Sequence, residues 1–170
     1  MLKYSGFKIN SISKNEYHGG SLRTIAVNSN SSLKKFDTKK LIEHENKHKI
    51  YTTSFYKEIM KKIIKKKIIL IDKLIKYTQS GYTLCGVGAG AKSNTFLTFY
   101  GLNNNLIKFL TDSSKFKRNK YTPFTRIIIK DDNEIAKYKK IVCLILSWNI
   151  SDIVINKIKK INRHIKIIKT

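Results

Sequence analysis

A glycine-rich segment lies in the second half of the chain, between a short apolar run and a helical pattern. Residues 86–95 are Gly-Val-Gly-Ala-Gly-Ala-Lys-Ser-Asn-Thr, with Lys92 directly after the last small residue. Glycines let the backbone approach an anion, and the free N–H groups of a helix N-terminus favour negative charge. The segment therefore suggests a phosphate-binding turn. A strand–helix turn whose small residues serve only packing explains the pattern equally well. Neither a Walker loop nor a complete dinucleotide fingerprint is present.

Two further polar segments follow apolar runs. The first begins at Asp112 and continues beyond the chain's one proline, Pro123, and the second is Ser147-Trp148-Asn149, with its one tryptophan. Ligands of open α/β sheets bind outside the carboxyl ends of the strands. We therefore expect all three segments to border a single cleft.

A fourth motif has the spacing of a zinc-protease helix. His44-Glu45-Asn46-Lys47-His48 places two histidines one helical turn apart beside a glutamate. Such helices are normally buried, whereas Lys47 and Lys49 flank these histidines, and no third ligand is evident. A solvated helix face is the favoured interpretation, and we expect no bound metal.

The second half of the chain alternates strand-like and helix-like segments. The strands are expected over 83–87, 107–111, 141–146 and 165–168, and the helices over 91–100, 133–138 and 151–162. This alternation predicts βαβ units, and hence an α/β fold with a mainly parallel sheet and helices on its faces.

The first 80 residues have a different pattern of apolar and polar side chains. Residues 7–12 and 22–27 alternate apolar and polar side chains around paired glycines, which predicts a β-hairpin. Two strands alone are marginal in water, so we expect the hairpin to belong to a larger sheet that the chain does not contain. A first helix is expected from Ser31 or Ser32 to Lys49, and a second over 53–77, ending near Gly81. The second has an apolar stripe expected to face a core: Phe55, Ile59, Ile63, Ile64, Ile71, Leu74 and Ile75.

The formal net charge of +24 favours an anionic partner. Only four of the 35 basic residues are arginine, the side chain that recognises phosphate with a bidentate fork. Lysine is spread evenly along the chain, which favours solvated lysine faces over a dedicated nucleic-acid surface or a membrane-binding helix. A diphosphate would suit this charge as well as a polynucleotide.

The compartment is predicted from three features. Cys85 and Cys143 each lie in an apolar run, which favours buried free thiols in a reducing compartment. Lysines interrupt every isoleucine cluster, so no run reaches the length of a membrane span. The first six residues lack the apolar region of a secretory signal. We expect a cytoplasmic protein.

Taken in order, the motifs resemble the successive signatures of S-adenosylmethionine-dependent sugar C-methyltransferases, specifically their C-terminal part. The matching residues are His18-Gly19-Gly20-Ser21-Leu22-Arg23, Gly86, Gly88, Ala89, Ala91, Lys92, Asn94, Thr95, Asp112, Ser114, Lys117, Thr125, Leu146, Trp148 and Asn149. The resemblance implies a zinc motif, a class I methyltransferase domain, and a Rossmann-like C-terminal domain that presents a dTDP-deoxysugar.

By this resemblance the chain holds only the end of the family plan. Residues 1–28 correspond to the last hairpin of the methyltransferase domain, 29–80 to a helical linker and 81–170 to the Rossmann-like domain. The zinc cysteines, the donor-binding loop and the catalytic cluster have no counterpart, so we expect a fragment or one half of a split gene. No catalytic residue, metal or bound cofactor is expected in this chain, and S-adenosylmethionine belongs to an upstream half.

The resemblance also implies the contacts with a dTDP-sugar. Lys92 and the helix N-terminus would hold phosphate; Asp112, Lys117 and Tyr121 would contact sugar or base; His18 and Arg23 would line the domain junction. The full set of expected substrate-binding residues is His18, Gly19, Gly20, Ser21, Arg23, Gly88, Lys92, Asn94, Asp112, Lys117, Tyr121, Trp148 and Asn149.

The chain departs from the family pattern at four positions. Asn119 and Phe124 stand where the family has glycine, and Lys115 and Ser147 where it has proline. Because glycine takes positive φ freely, we expect altered turn geometry in the loop around Pro123.

Two other functional classes stay open. One is a stand-alone, non-catalytic nucleotide-binding module or pseudoenzyme, and the other is a basic nucleic-acid-binding protein. A steep salt dependence of DNA or RNA binding would identify the latter.

Overall fold

A computed structural model describes residues 1–170, with the exception of the side chain of His18. The chain forms two compact units, Met1–Lys62 and Ile63–Thr170. The functional domain boundaries expected after residues 28 and 80 remain predictions.

The first unit contains the predicted hairpin. Strands β1 (Phe7–Asn15) and β2 (Ser21–Asn28) pair antiparallel, with a register shift between Ile9 and Ser11. A 3-10 turn over Tyr17–Gly19 connects them, and another, Leu2–Ser5, precedes β1. The paired strands confirm the alternation seen in the sequence.

Helix α1 spans Lys39–Lys47 and begins later than expected. Residues 31–36 run beside β1 instead, where the N–H of Phe36 donates to the carbonyl of Ile9 at 2.8 Å and the Asn10 side chain donates to the carbonyl of Lys34 at 2.9 Å. These contacts with a strand more than twenty residues away compete with local helix formation, so the helix starts only after Asp37.

Helix α2 spans Thr53–Gln79. Gly81 follows its C-terminus, and its φ of 77° and N–H bond to the carbonyl of Thr78 confirm the expected helix terminator. In the second unit its buried face is formed by Leu74, with Leu70 and Ile71 packed against the same core. Ile64 and Ile75, expected in the stripe, are instead exposed. The buried face thus follows only part of the apolar pattern.

The second unit is a five-stranded parallel sheet. Its strands are β3 (Thr83–Val87), β4 (Phe109–Thr111), β5 (Ile129–Lys130), β6 (Ile141–Ile145) and β7 (Lys166–Lys169), in the order β5-β4-β3-β6-β7. Helix α3 (Ala91–Tyr100) packs on one face through Leu97, and α4 (Ser151–Ile161) packs on the other through Ile155 and Ile158. The expected Rossmann-like, three-layer α/β fold is confirmed.

Two details of the sheet differ from expectation. Strand β5 was not predicted, because two residues are too few to create a periodic pattern. The helix expected over 133–138 is a 3-10 segment, Asp132–Lys137. Strand β5 pairs with β4, and the 3-10 segment packs against α4, so tertiary contacts rather than local periodicity determine both conformations.

The two cysteines lie opposite each other in the core. Cys85 on β3 and Cys143 on β6 are paired in register, both are fully buried, and their sulfur atoms are 3.4 Å apart without a disulfide. Free buried thiols were expected and are found. Among the helices of the described residues, none is both long enough and apolar enough to cross a membrane.

Candidate functional site

The order of the strands places a topological switch point beside β3. The chain runs outward from β3 through β4 to β5 and then returns to β6 on the other side of β3. The connections leaving β3 and β6 therefore depart in opposite directions at the carboxyl edge, which opens the crevice where ligands of such sheets bind. The loops after β3, β4 and β6 meet at this edge, as the sequence suggested. The N–H of Gly88 donates to Thr111, and that of Leu146 to Val87.

Gly88 permits the closest approach between these loops. Its φ is 100°, and a Cβ atom there would lie 1.9 Å from Oγ of Ser147. A side chain cannot fit without moving the loop after β6. At Gly86, a Cβ would lie 2.5 Å from a Leu110 methyl group, inside the core. Both glycines are thus explained by packing, so the phosphate hypothesis depends on the helix that follows them.

Helix α3 begins at the same edge. Ser93, which is buried, stabilises its first turn. The Oγ of Ser93 accepts a hydrogen bond from the N–H of Gly90 at 3.3 Å and donates one to the carbonyl of Leu146 at 3.4 Å. Lys92, the second residue of the helix, is exposed, with Nζ 5.9 Å from the centre of the Trp148 ring. A lysine beside helix N–H groups concentrates positive potential at the end of α3.

Asp112 fastens the loop after β4 to the loop after β3. One carboxylate oxygen accepts from the N–H of Ala89 at 2.9 Å and from Nζ of Lys117 at 3.0 Å, and the other accepts from the N–H of Ser114 at 2.9 Å. Burial opposes ionisation, but the hydrogen bonds from Ser114, Ala89 and Lys117 outweigh it and hold the pKa of Asp112 below its ordinary value. Asp112 and Lys117, both expected substrate contacts, are thus paired with each other.

A cavity of about 160 Å³ lies beneath these loops, on the face of the sheet covered by α4. Two charged residues in its wall were not singled out from the sequence: Asp132, which is buried, and Lys157 of α4, whose Nζ is 2.5 Å from the Asp132 carboxylate. Lys157 could not be distinguished from the many other lysines. Asp132 follows the short strand β5, so recognising that strand would have placed it at this edge.

Three of the remaining expected residues of the second unit lie at the carboxyl edge of the sheet, whereas Tyr121 lies beside the amino end of β5. Asn94 lies in the first turn of α3, and its side-chain oxygen is buried without a hydrogen-bond partner among the described residues. Trp148 and Asn149 form a 3-10 turn after β6, with the Trp148 ring centre 6.4 Å from that of Phe96. Tyr121 is 64% exposed and bridges to Ile128. The structure thus assigns these four residues to loops and to one helix start.

The loop around Pro123 keeps a glycine-like geometry without glycine. Asn119 and Phe124 have φ values of 61° and 60°. Thr122 and Thr125, which flank Pro123 and Phe124, are buried, with their hydroxyl oxygens 2.6 Å apart. The turn conformation that glycine would favour therefore forms here, and the strain of a bulky residue at position 124 remains in the folded protein.

The expected contacts from residues 18–23 belong to the first unit. Gly19 and Gly20, with φ of 85° and 118°, form the hairpin connection together with the backbone of His18. The Ser21 hydroxyl donates to the carbonyl of Tyr17 at 2.8 Å, and Arg23 is exposed on β2. The connection borders an open depression of about 560 Å³. The His18 side chain lies outside the described part of the structure.

The zinc-protease motif falls at the end of α1. His44 is in the helix and His48 follows its last residue, with Nδ1 of His48 2.8 Å from the carbonyl of His44. Within the described residues, no three histidine, cysteine, aspartate or glutamate side chains are grouped closely enough to hold a metal ion. The expectation that the purified chain binds no zinc remains a prediction.

Comparison with known proteins identifies the family to which the chain belongs. A family model described as the C-methyltransferase C-terminal domain matches residues 16–168. C-methyltransferase NovU of Streptomyces niveus is 31% identical over 80 residues, which cover 47% of this chain and 19% of NovU. The matched stretch is thus about a fifth of that relative's length. The family match includes the hairpin connection, all four α-helices and the parallel sheet except for the last residue of β7. The chain therefore belongs to the C-methyltransferase C-terminal domain family.

Proposed function

We propose that this chain presents a dTDP-sugar to a methyltransferase domain and takes no part in the methyl transfer itself. The diphosphate would bind at the N-terminus of α3, with Lys92 beside it. The observation that supports this assignment most directly is the position of Lys92, at a helix start next to the topological switch point. The overall charge of +24 favours an anionic ligand there.

The methyl donor would bind to another domain, in the same polypeptide or on a partner. A class I donor site needs an acidic residue at the end of its second strand to hold a ribose. Asp112 has that position relative to β3 and β4, but both carboxylate oxygens already accept hydrogen bonds, from Ala89, Ser114 and Lys117. This pairing of Asp112 supports a donor site outside this chain.

Catalysis would also require groups from that other domain. In the family's chemistry a base removes a proton beside a 4-keto group, and the enolate attacks the donor methyl. Deprotonation of such a carbon needs a base positioned within hydrogen-bonding distance. At the carboxyl edge of the sheet, Asp112, Asp132 and Asp152 are each paired with a lysine, and Asp131 is paired with Arg118. We accordingly expect this edge to bind and orient the nucleotide-sugar rather than to move its proton.

Titration calorimetry with dTDP and with dTDP-glucose tests the proposal. Lys92→Ala should weaken binding by about 1–2 kcal/mol, the range for losing a charge-assisted hydrogen bond. Lys139→Ala is the matched control, since Lys139 is also exposed but precedes β6, at the opposite edge of the sheet. Equal affinity of wild type and Lys92→Ala for dTDP would mean that the start of α3 serves packing alone and does not bind the diphosphate.

Activity measurements test whether methyl transfer requires a separate methyltransferase domain. The chain alone should bind no S-adenosylmethionine and should methylate no 4-keto dTDP-sugar, whereas addition of a family methyltransferase domain should produce turnover. Methylation by the chain alone would refute the proposal. Binding of dTDP without complementation by any such domain would instead favour a non-catalytic nucleotide-binding module.

Nucleic-acid binding is the second candidate, and the net charge of +24 is the observation in its favour. Affinity for DNA or RNA that falls by orders of magnitude between about 50 and 200 mM salt would support it. In that case Lys92→Ala should have no larger effect than Lys139→Ala.

A further inference from the structure

The cavity beneath the carboxyl edge has a mixed lining. Its apolar wall comes from Val87 of β3, from Ile150 just before α4, and from Val154 and Ile158 within α4. Hydroxyl groups come from the ends of the strands, at Thr111, Ser113 and Ser147. An apolar wall opposite a few convergent polar groups is the usual composition of a small-molecule site.

Thr111 supplies a buried hydroxyl that lacks a partner. The residue is 0% exposed, and its Oγ1 makes no hydrogen bond to any described residue. Side chains alternate along a strand, so Thr111 is on the same face of β4 as Phe109, which packs in the cluster on the α4 side. The hydroxyl is therefore on the cavity side of the sheet. Buried hydroxyl groups are normally paired, so this one points to a ligand or water in the cavity.

The charged groups of the cavity are already compensated. The Asp132 carboxylate accepts from Nζ of Lys157 at 2.5 Å and from the hydroxyl of Ser113 at 3.4 Å. Nζ of Lys157 also donates to Oγ of Ser113 at 3.0 Å. Asp112 is paired with Lys117. Since each carboxylate has its own lysine, the lining offers no surplus positive charge to a phosphate. It favours an uncharged ligand with hydroxyl groups.

The volume limits the ligand to one ring. A cavity of about 150 Å³ accommodates a single six-membered ring, and this one measures about 160 Å³. We propose that the cavity binds one uncharged sugar ring, either the deoxyribose or the hexose of the bound nucleotide-sugar. Ring hydroxyls would pair with Thr111 and Ser113, and a ring face would pack on Val154. This assignment rests on the proposed function, which places the diphosphate at the neighbouring start of α3.

Calorimetric titrations of the full chain with pyrophosphate, dTDP and dTDP-glucose test the assignment. Thr111→Val removes the hydroxyl while keeping the shape of the side chain, and Val154→Phe fills the cavity. Thr83→Val is the matched control, a strand threonine at the amino end of β3. Because Thr111→Val removes an unpaired buried hydroxyl, this variant should not lower the melting temperature. It therefore tests the inference even if Val154→Phe destabilises the protein.

Thr111→Val should weaken the binding of dTDP-glucose by about fivefold, as expected for one lost neutral hydrogen bond. An effect on both dTDP and dTDP-glucose assigns the deoxyribose to the cavity, and an effect on dTDP-glucose alone assigns the hexose. Pyrophosphate should bind wild type, Thr111→Val and Thr83→Val equally. Unchanged affinity for dTDP and dTDP-glucose in both cavity variants would overturn this inference and leave the proposed function intact. Failure of both nucleotides to bind wild type would overturn the two together.

Discussion

The N–H of Ala89 donates to the carboxylate of Asp112 at 2.9 Å, although 23 residues separate them in the chain. This bond fixes the distance between the loop after β3 and the loop after β4. The position of the N-terminus of α3, where we place the diphosphate, therefore depends on a carboxylate from the neighbouring strand.

Asp112→Asn should lower the free energy of unfolding by about 1–2 kcal/mol at pH 7, because charge-assisted hydrogen bonds are replaced by weaker ones. Hydrogen bonds hold the pKa of Asp112 below its ordinary value. A lowered pKa in the folded state contributes stability above the unfolded-state pKa and loses it as pH falls through the folded-state pKa. Wild type and Asp112→Asn should therefore converge in acid, as urea unfolding at pH 7, 5 and 3 would measure. A constant difference across that range would assign the effect to packing.

Gly88→Ala should destabilise the protein by about 2–4 kcal/mol, since it combines left-handed strain with overpacking. Its Cβ would lie 1.9 Å from Oγ of Ser147 at a φ of 100°. Gly90→Ala is the matched control, because Gly90 has a φ of −87° and its nearest neighbour would be 3.9 Å away. Thermal unfolding of both variants tests the comparison. A similar melting temperature for the two would contradict the tight contact between the loops after β3 and β6.

Phe124→Gly should be more stable than Phe124→Ala by about 0.5–1 kcal/mol. Phe124 has a φ of 60° and is 92% exposed, so truncation removes little packing and glycine relieves the backbone strain. Asn119→Gly, at a φ of 61°, should change stability less, since asparagine tolerates this conformation better. Chemical denaturation of the three variants measures the difference. Equal stability of Phe124→Gly and Phe124→Ala would argue against a left-handed residue at position 124.

The two core thiols should resist modification in the folded protein. Cys85 and Cys143 are fully buried, and the hydrogen bond to Cys143, together with burial, raises the pKa of Cys85. A thiol that stays protonated is a poor nucleophile. A disulfide reagent at pH 8 should label neither cysteine until denaturant is added, and then both. Rapid labelling of native protein would mean that β3 and β6 separate readily.

Sequence periodicity was sufficient to predict four of the five strands of the parallel sheet. Strand β3 and helix α3 lie at the predicted residues, and the glycine turn between them is at the carboxyl edge, because apolar runs and helix caps act over only a few neighbouring residues. The same locality explains the differences. Residues 31–36 pair with β1 instead of continuing a helix, and β5 exists only through its pairing with β4.

The features of the candidate site also separate into those that the sequence predicted and those that only the tertiary structure shows. The sequence by itself identified the loops after β3, β4 and β6 as one edge, since carboxyl ends of parallel strands must coincide. Only the tertiary structure decided that Asp112 binds Ala89, that Lys157 neutralises Asp132, and that Thr111 faces a cavity without a partner. These relationships join residues far apart in the chain. They depend on strand order, register and the angle of α4, none of which is encoded in the spacing of a motif.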